Sequence, residues 1–118
     1  DNFLTYNKIL QVLYVPNLTK VGNSFLAYNK ILQVLEVPNL TEVGDFFLED
    51  NETLLELYVP KLINVGSYFL DCNKTLQELY APNLTNVGIF FLYDNRDLRN
   101  KVYSEIEERN KENVVYVK

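Results

Sequence analysis

The sequence predicts an α/β solenoid, with short strands in every coil, few or no helices within the repeats, and a helical cap at the C-terminus. Three observations carry this. The stretch "NKILQVLYVPNLTKVG" at 7–22 returns as "NKILQVLEVPNLTEVG" at 29–44 with two changes, Tyr14 to Glu36 and Lys20 to Glu42. All four glycines (Gly22, Gly44, Gly66, Gly88) and all four prolines (Pro16, Pro38, Pro60, Pro82) recur at one phase of a 22-residue period. After residue 95 that pattern stops and a 3.6-residue apolar periodicity replaces it. A period of 20–29 residues marks a unit that buries its apolar side only by stacking on its neighbours.

Each coil divides into segments with distinct physical roles. In "LQVLYV", Leu10, Leu13 and Val15 take the spacing L-x-x-L-x-V, and Leu13 and Val15 alternate with Tyr14 as in a strand with one buried face. The proline that follows cannot donate to a ladder, so it ends the strand and turns the chain. "NLTKVG" supplies a second short extended piece with Leu18 and Val21 inward. The glycine closing it is expected to have a positive φ, or to approach its neighbour too closely for a side chain; Gly44 is the example. "FLAYN" crosses back with two bulky apolar residues. The Asn column (Asn7, Asn29, Asn51, Asn73, Asn95) is expected to satisfy backbone groups at the bend as a ladder.

The fifth start, "FLYDNRDLRNKVYSEIEERNKENVVYVK", departs from the pattern. Lys101 stands where Leu13, Leu35, Leu57 and Leu79 stood, and burying a lysine there would be costly. Leu98, Val102 and Ile106 instead fall four apart, with Glu105 and Arg109, and Glu107 and Lys111, as i,i+4 pairs. A helix over about 96–111 follows, N-capped by Asp94 or Asn95, with "VVYVK" as a short strand after it. The organisation is therefore repeats over 1–95, about four full coils and the start of a fifth, and a cap over 96–118. The chain opens in mid-pattern without an initiator Met, as expected of a mature form or an excised piece, and without an N-terminal cap. Phe3 and Leu4 are then expected to meet an upstream repeat or a second copy, which makes that coil a surface for self-association.

These columns resemble a leucine-rich repeat of the BspA-like class, whose unit runs approximately L-x-x-I-x-I-P, V-x-x-I-G, A-F-x-x-C-x-x-L. Here it reads L-Q-x-L-x-V-P, N-L-T-x-V-G, F-L-x-x-N-x-x-L over about positions 3 to 100. The A-F pair is F-L, Asn replaces Cys, and the stretch between proline and glycine is one residue shorter. The resemblance implies a right-handed coil of parallel strands, of a kind usually surface-exposed or secreted and used for adhesion or partner recognition. It transfers no family member's particular ligand.

Composition excludes several functions. There is no histidine, which removes triads and histidine-dependent acid/base or metal chemistry. The single cysteine, Cys72, allows no internal disulfide and no zinc cluster, and with Asp71 beside it an inert thiol is expected. "LEDNET" at 48–53 lacks the glycine turn of a calcium loop, and the glycines are too dispersed to cradle phosphate. Net charge is −5; residues 1–95 hold five lysines against eleven acids, so no basic face invites nucleic acid. No apolar run approaches the roughly 20 residues that cross a bilayer. No enzyme activity and no cofactor are expected, and the compartment is not written in the chain. Five N-x-S/T sequons (Asn17, Asn39, Asn51, Asn73, Asn83) follow from the repeat itself, two of them in the expected buried ladder.

The outward strand positions remain. If Leu13 and Val15 point inward, one outward row is Val12, Val34, Glu56, Glu78 and the next is Tyr14, Glu36, Tyr58, Tyr80, with Gln11, Gln33, Leu55 and Gln77 beside them. Tyr14, Glu36, Glu56, Tyr58, Glu78 and Tyr80 form the expected binding surface for a protein or peptide partner, since tyrosine supplies contact area efficiently. The competing expectation is an architectural spacer or self-assembling segment, in which stacked tyrosines only stabilise an exposed sheet.

Overall fold

The computed structural model describes residues 12–28 and 31–112. The expectations for Phe3, Leu4, Asn7, Gln11 and Asn29, and for "VVYVK", concern residues outside that set. Within it, the chain winds as a parallel-strand solenoid of about three turns. One side is a four-stranded parallel sheet of β1 (Val12–Tyr14), β3 (Val34–Glu36), β5 (Glu56–Tyr58) and β7 (Glu78–Tyr80), in that order. A second side is a three-stranded parallel sheet of β2 (Lys20–Val21), β4 (Glu42–Val43) and β6 (Asn64–Val65), extended by a bridge from Asn64 to Asn86. Every pairing joins residues 22 apart, Leu35 to Leu57 and Val43 to Val65 among them, so the sequence period is the register.

Stacking explains which residues are buried. Leu35 and Leu57, in inner strands, are fully buried, while Leu13 and Leu79, in outer strands, are only partly so. The ladder runs one residue past each strand, with the Val37 N–H donating to the Tyr58 carbonyl and the Val59 N–H to that of Tyr80. Proline then ends it. Pro38 and Pro60 take the second place of tight turns closed by the Leu40 N–H on Val37 and the Leu62 N–H on Val59, where a fixed φ suits the turn.

The glycine corner works by close approach alone. None of the described glycines has a positive φ. At Gly88 an added Cβ would lie 2.6 Å from both the Gly66 carbonyl carbon and the Ser67 nitrogen. The residues after Gly22 and Gly44 reinforce the corner, as Asn23 Oδ1 accepts from the Asp45 N–H and Asp45 Oδ1 from the Ser67 N–H, both at 2.8 Å.

Positive φ appears instead on the third side, at alternate residues: Ser24, Leu26 and Tyr28; Phe46, Leu48 and Asp50; Tyr68, Leu70 and Cys72; Phe90 and Leu92. Left-handed geometry is costly for such side chains, and two gains offset it. A strand sends successive side chains to opposite faces, whereas here both members of each F-L pair (Phe47 and Leu48, Phe69 and Leu70, Phe91 and Leu92) are fully buried. The N–H groups also bond alternately up and down the stack, Phe46 to the Ser67 carbonyl and Leu48 to that of Phe25, both at 2.9 Å. Phe25, Phe47, Phe69 and Phe91 form a continuous stack with centroids 5.4–5.5 Å apart.

Asn51 and Asn73 are fully buried, as the Asn column required. Asn51 Nδ2 donates to the Leu26 carbonyl in the preceding coil and the Glu49 carbonyl in its own, and Asn73 repeats this on Leu48 and Asp71. Their Oδ1 atoms have no partner. Asn95 Nδ2 donates to Asn73 and Leu76, and the Asn95 carbonyl accepts the Arg99 N–H, which makes Asn95 the first cap residue of α1 (Arg96–Glu112). Leu98, Val102 and Ile106 are buried against the last coil, Tyr103 packs on Phe91 at 5.4 Å, and Arg109 pairs with Glu105 and donates to the Leu84 carbonyl. The Lys111 side chain lies outside the described set. No helix among the described residues is long and apolar enough to cross a membrane.

Candidate functional site

The outer face of the four-stranded sheet carries the expected residues in the expected rows. Tyr14, Glu36, Tyr58 and Tyr80 are register partners in sequence, as are Val34, Glu56 and Glu78. Tyr14, Glu36, Glu78 and Tyr80 are exposed, and Glu56 and Tyr58 half-buried. The geometry brings Glu56, Tyr58, Glu78 and Tyr80 into direct association, while Tyr14 stands apart from the other tyrosines because Glu36 intervenes.

Tyr58 and Tyr80 have centroids 6.3 Å apart, but their planes are tilted by 52°. The two rings are not stacked face to face. The Tyr58 hydroxyl lies 3.4 Å from both Glu56 Oε2 and Glu78 Oε2. One hydroxyl proton serves one carboxylate at a time, so the second acid faces a phenol it cannot use fully. The phenol pKa is raised above its ordinary value, first by the charge on Glu56, then by burial and by Glu78. The site thus holds its negative charge on carboxylates and keeps the phenol neutral.

Two shallow grooves meet at these rings. One, of about 230 Å³, is lined by Glu36, Pro38, Tyr58, Pro60 and Tyr80. The other, of about 210 Å³, is lined by Tyr58, Glu78, Leu79, Tyr80 and Lys101. The prolines of the first groove belong to the turns that end β3 and β5, so its edge is set by rigid backbone.

A second aromatic column stands at the position before the F-L pairs, at Phe46, Tyr68 and Phe90, with Ser24 breaking it in the coil before. Phe46, Tyr68 and Phe90 stack at 4.8 Å with planes within 11° and 23°, and Tyr93 closes on Phe90 edge-on at 5.2 Å. Here the ring faces are already used by one another, which suits structural cohesion rather than a ligand platform.

Cys72 lies on that side, half-buried, where the ligand atoms of Asp71, Cys72 and Asp94 fall within 4.8 Å of one another. A hydrogen bond to Asp94, burial and the charges of Asp71 and Asp50 push its pKa up to about 12. A nucleophilic thiol needs the opposite environment, with positive charge nearby. Burial and then the charges of Asp94, Glu49 and Asp50 likewise raise the Asp71 pKa. Of the sequons, Asn51 and Asn73 are fully buried and closed to modification in the folded chain.

No family model, no curated protein and no solved structure matches the chain.

Proposed function

We propose that the chain is a recognition module that takes a protein or peptide partner of basic character on the outer face of its four-stranded sheet. We read its coil as a right-handed leucine-rich repeat of the BspA-like pattern within a surface or secreted protein. The observation that carries the binding reading is the contrast between the two aromatic columns. Phe46, Tyr68 and Phe90 spend their faces on each other, whereas Tyr58 and Tyr80 are splayed over a groove between carboxylates. Splayed rings supply contact area at low entropy cost, and Glu36, Glu56 and Glu78 favour positive charge while repelling acidic competitors.

A displayed random nonapeptide library selected on the immobilised chain tests this. Peptides rich in Arg or Lys with an apolar or aromatic neighbour are expected. Each should lose at least about tenfold in affinity on the double variant Tyr58→Ala, Tyr80→Ala, in line with aromatic anchors at interfaces. That variant should stay folded with a stability loss of about 1 kcal/mol, since Tyr80 is exposed and Tyr58 half-buried in a cross-strand pair. No enrichment over a blank surface, or equal binding to a folded double variant, would favour the architectural spacer.

A further inference from the structure

The two grooves on the strand face differ in charge, and both are lined by Tyr58 and Tyr80, so one ligand would contact both. The first has Glu36 at its wall and no cation. The second is lined by both an acid, Glu78, and a cation, Lys101. Lys101 reaches this position because the coil ends. At the phase where Leu35, Leu57 and Leu79 point inward, α1 has replaced the strand and turns residue 101 outward, exposed.

Two cations of the cap helix are engaged elsewhere: Arg99 donates to the Tyr93 carbonyl, and Arg109 binds Leu84 and Glu105. Lys101 makes no ion pair or hydrogen bond among the described residues. The groove it lines also has an apolar floor, since Leu79 is only partly buried where its inner counterparts are fully so.

Resting on the recognition reading above, we propose that the ligand is a bipolar extended peptide. It carries a cationic side chain over Glu56 and Glu78 and, toward the cap helix, a carboxylate at Lys101, with the aliphatic stems of the two side chains lying over Tyr80 and Leu79. Glu56 belongs to β5, Glu78 to β7, and Lys101 to the layer beyond. With layers about 4.8 Å apart, the Lys101 site lies about 7 Å from the centre of the Glu56 and Glu78 site. An extended peptide covers that distance in about two residues, a spacing that puts both charged side chains on the same face. Charge complementarity at both ends gives direction as well as affinity, because the reversed peptide would set acid against Glu56 and Glu78 and base against Lys101.

The test runs the random nonapeptide library on the intact chain and on Lys101→Glu in parallel. On the intact chain, enriched peptides should carry Arg or Lys with Asp or Glu two residues away, always in one order. On the variant, the acidic position should vanish or turn basic. Individual peptides should weaken about three- to tenfold on Lys101→Glu, as for a partly exposed charge pair reversed in sign. Exchanging the peptide's Asp for Asn should weaken binding to the intact chain and not to the variant. Lysine substitution lies on an exposed helix face and leaves the fold intact, which an unchanged urea midpoint checks. Peptides that carry only basic residues, bind both chains equally and are lost on Tyr58→Ala, Tyr80→Ala would overturn the bipolar ligand and keep the recognition module. No selection above background, or selection indifferent to both variants, would overturn both.

Discussion

Replacing Gly44, Gly66 and Gly88 singly by alanine separates two explanations for a glycine in every coil. If backbone conformation alone mattered, alanine would be harmless, because the φ values are not positive and alanine would reduce unfolded-state entropy, a gain of about 0.4–1 kcal/mol. The close-approach geometry predicts the reverse, graded by what the new methyl meets. At Gly44 the nearest atom is the Asn23 side-chain oxygen, with the Gly22 carbonyl carbon at 2.9 Å behind it. That oxygen can rotate aside only by releasing the Asp45 N–H, a hydrogen bond of about 1 kcal/mol. At Gly66 the backbone of Gly44 stands at 2.7 and 2.8 Å, and at Gly88 all three nearest atoms are backbone, at 2.6–2.7 Å. Ordinary carbon contacts lie at about 3.5–4.0 Å, so the Gly88 methyl overlaps by about 0.8 Å or more. Overpacking of this kind costs about 1–3 kcal/mol. Allowing for the entropy gain, losses should rise from about 1 kcal/mol or less at Gly44 to about 1–3 kcal/mol at Gly88. Urea unfolding followed by circular dichroism measures all three. Variants as stable as the parent, or a reversed order, would refute close approach as the reason for the column.

Two further outcomes follow from the buried amide and the thiol. Asn51→Ala should destabilise by about 1–3 kcal/mol in the same titration, because the Leu26 and Glu49 carbonyls lose their donor inside the core; a change near zero would mean water reaches that corner. Cys72, with its pKa at about 12, should react with an aromatic disulfide reagent at pH 8 roughly 100-fold more slowly than an unfolded control, the scarcity of thiolate outweighing its greater nucleophilicity. Since the folded value lies above the unfolded one, the thiol also makes stability fall as pH rises past the ordinary thiol range, and a fast reaction or alkaline stabilisation would contradict the acidic environment.

Much of the architecture was legible along the chain, because a stacked coil repeats its demands on side chains. The 22-residue period became the strand register, proline the end of each strand, and Leu98, Val102 and Ile106 the inner face of α1, which ends one residue beyond the expected 111. Alternation in "ELY" placed Glu56, Tyr58, Glu78 and Tyr80 outward, since a strand leaves no other choice. What the tertiary structure alone decided depends on the neighbouring layer. Positive φ fell on Leu and aromatic residues rather than on glycine, because burying both members of an F-L pair requires a backbone that a lone coil would not adopt. The Tyr58 and Tyr80 rings tilt by 52° while Phe46, Tyr68 and Phe90 stack, a difference that residue identity along the chain does not show. Lys101 read as a residue unfit for the core; only the packing of the cap helix turned that misfit into the cation at the end of the groove, because a side chain's role there is fixed by what the next layer leaves open.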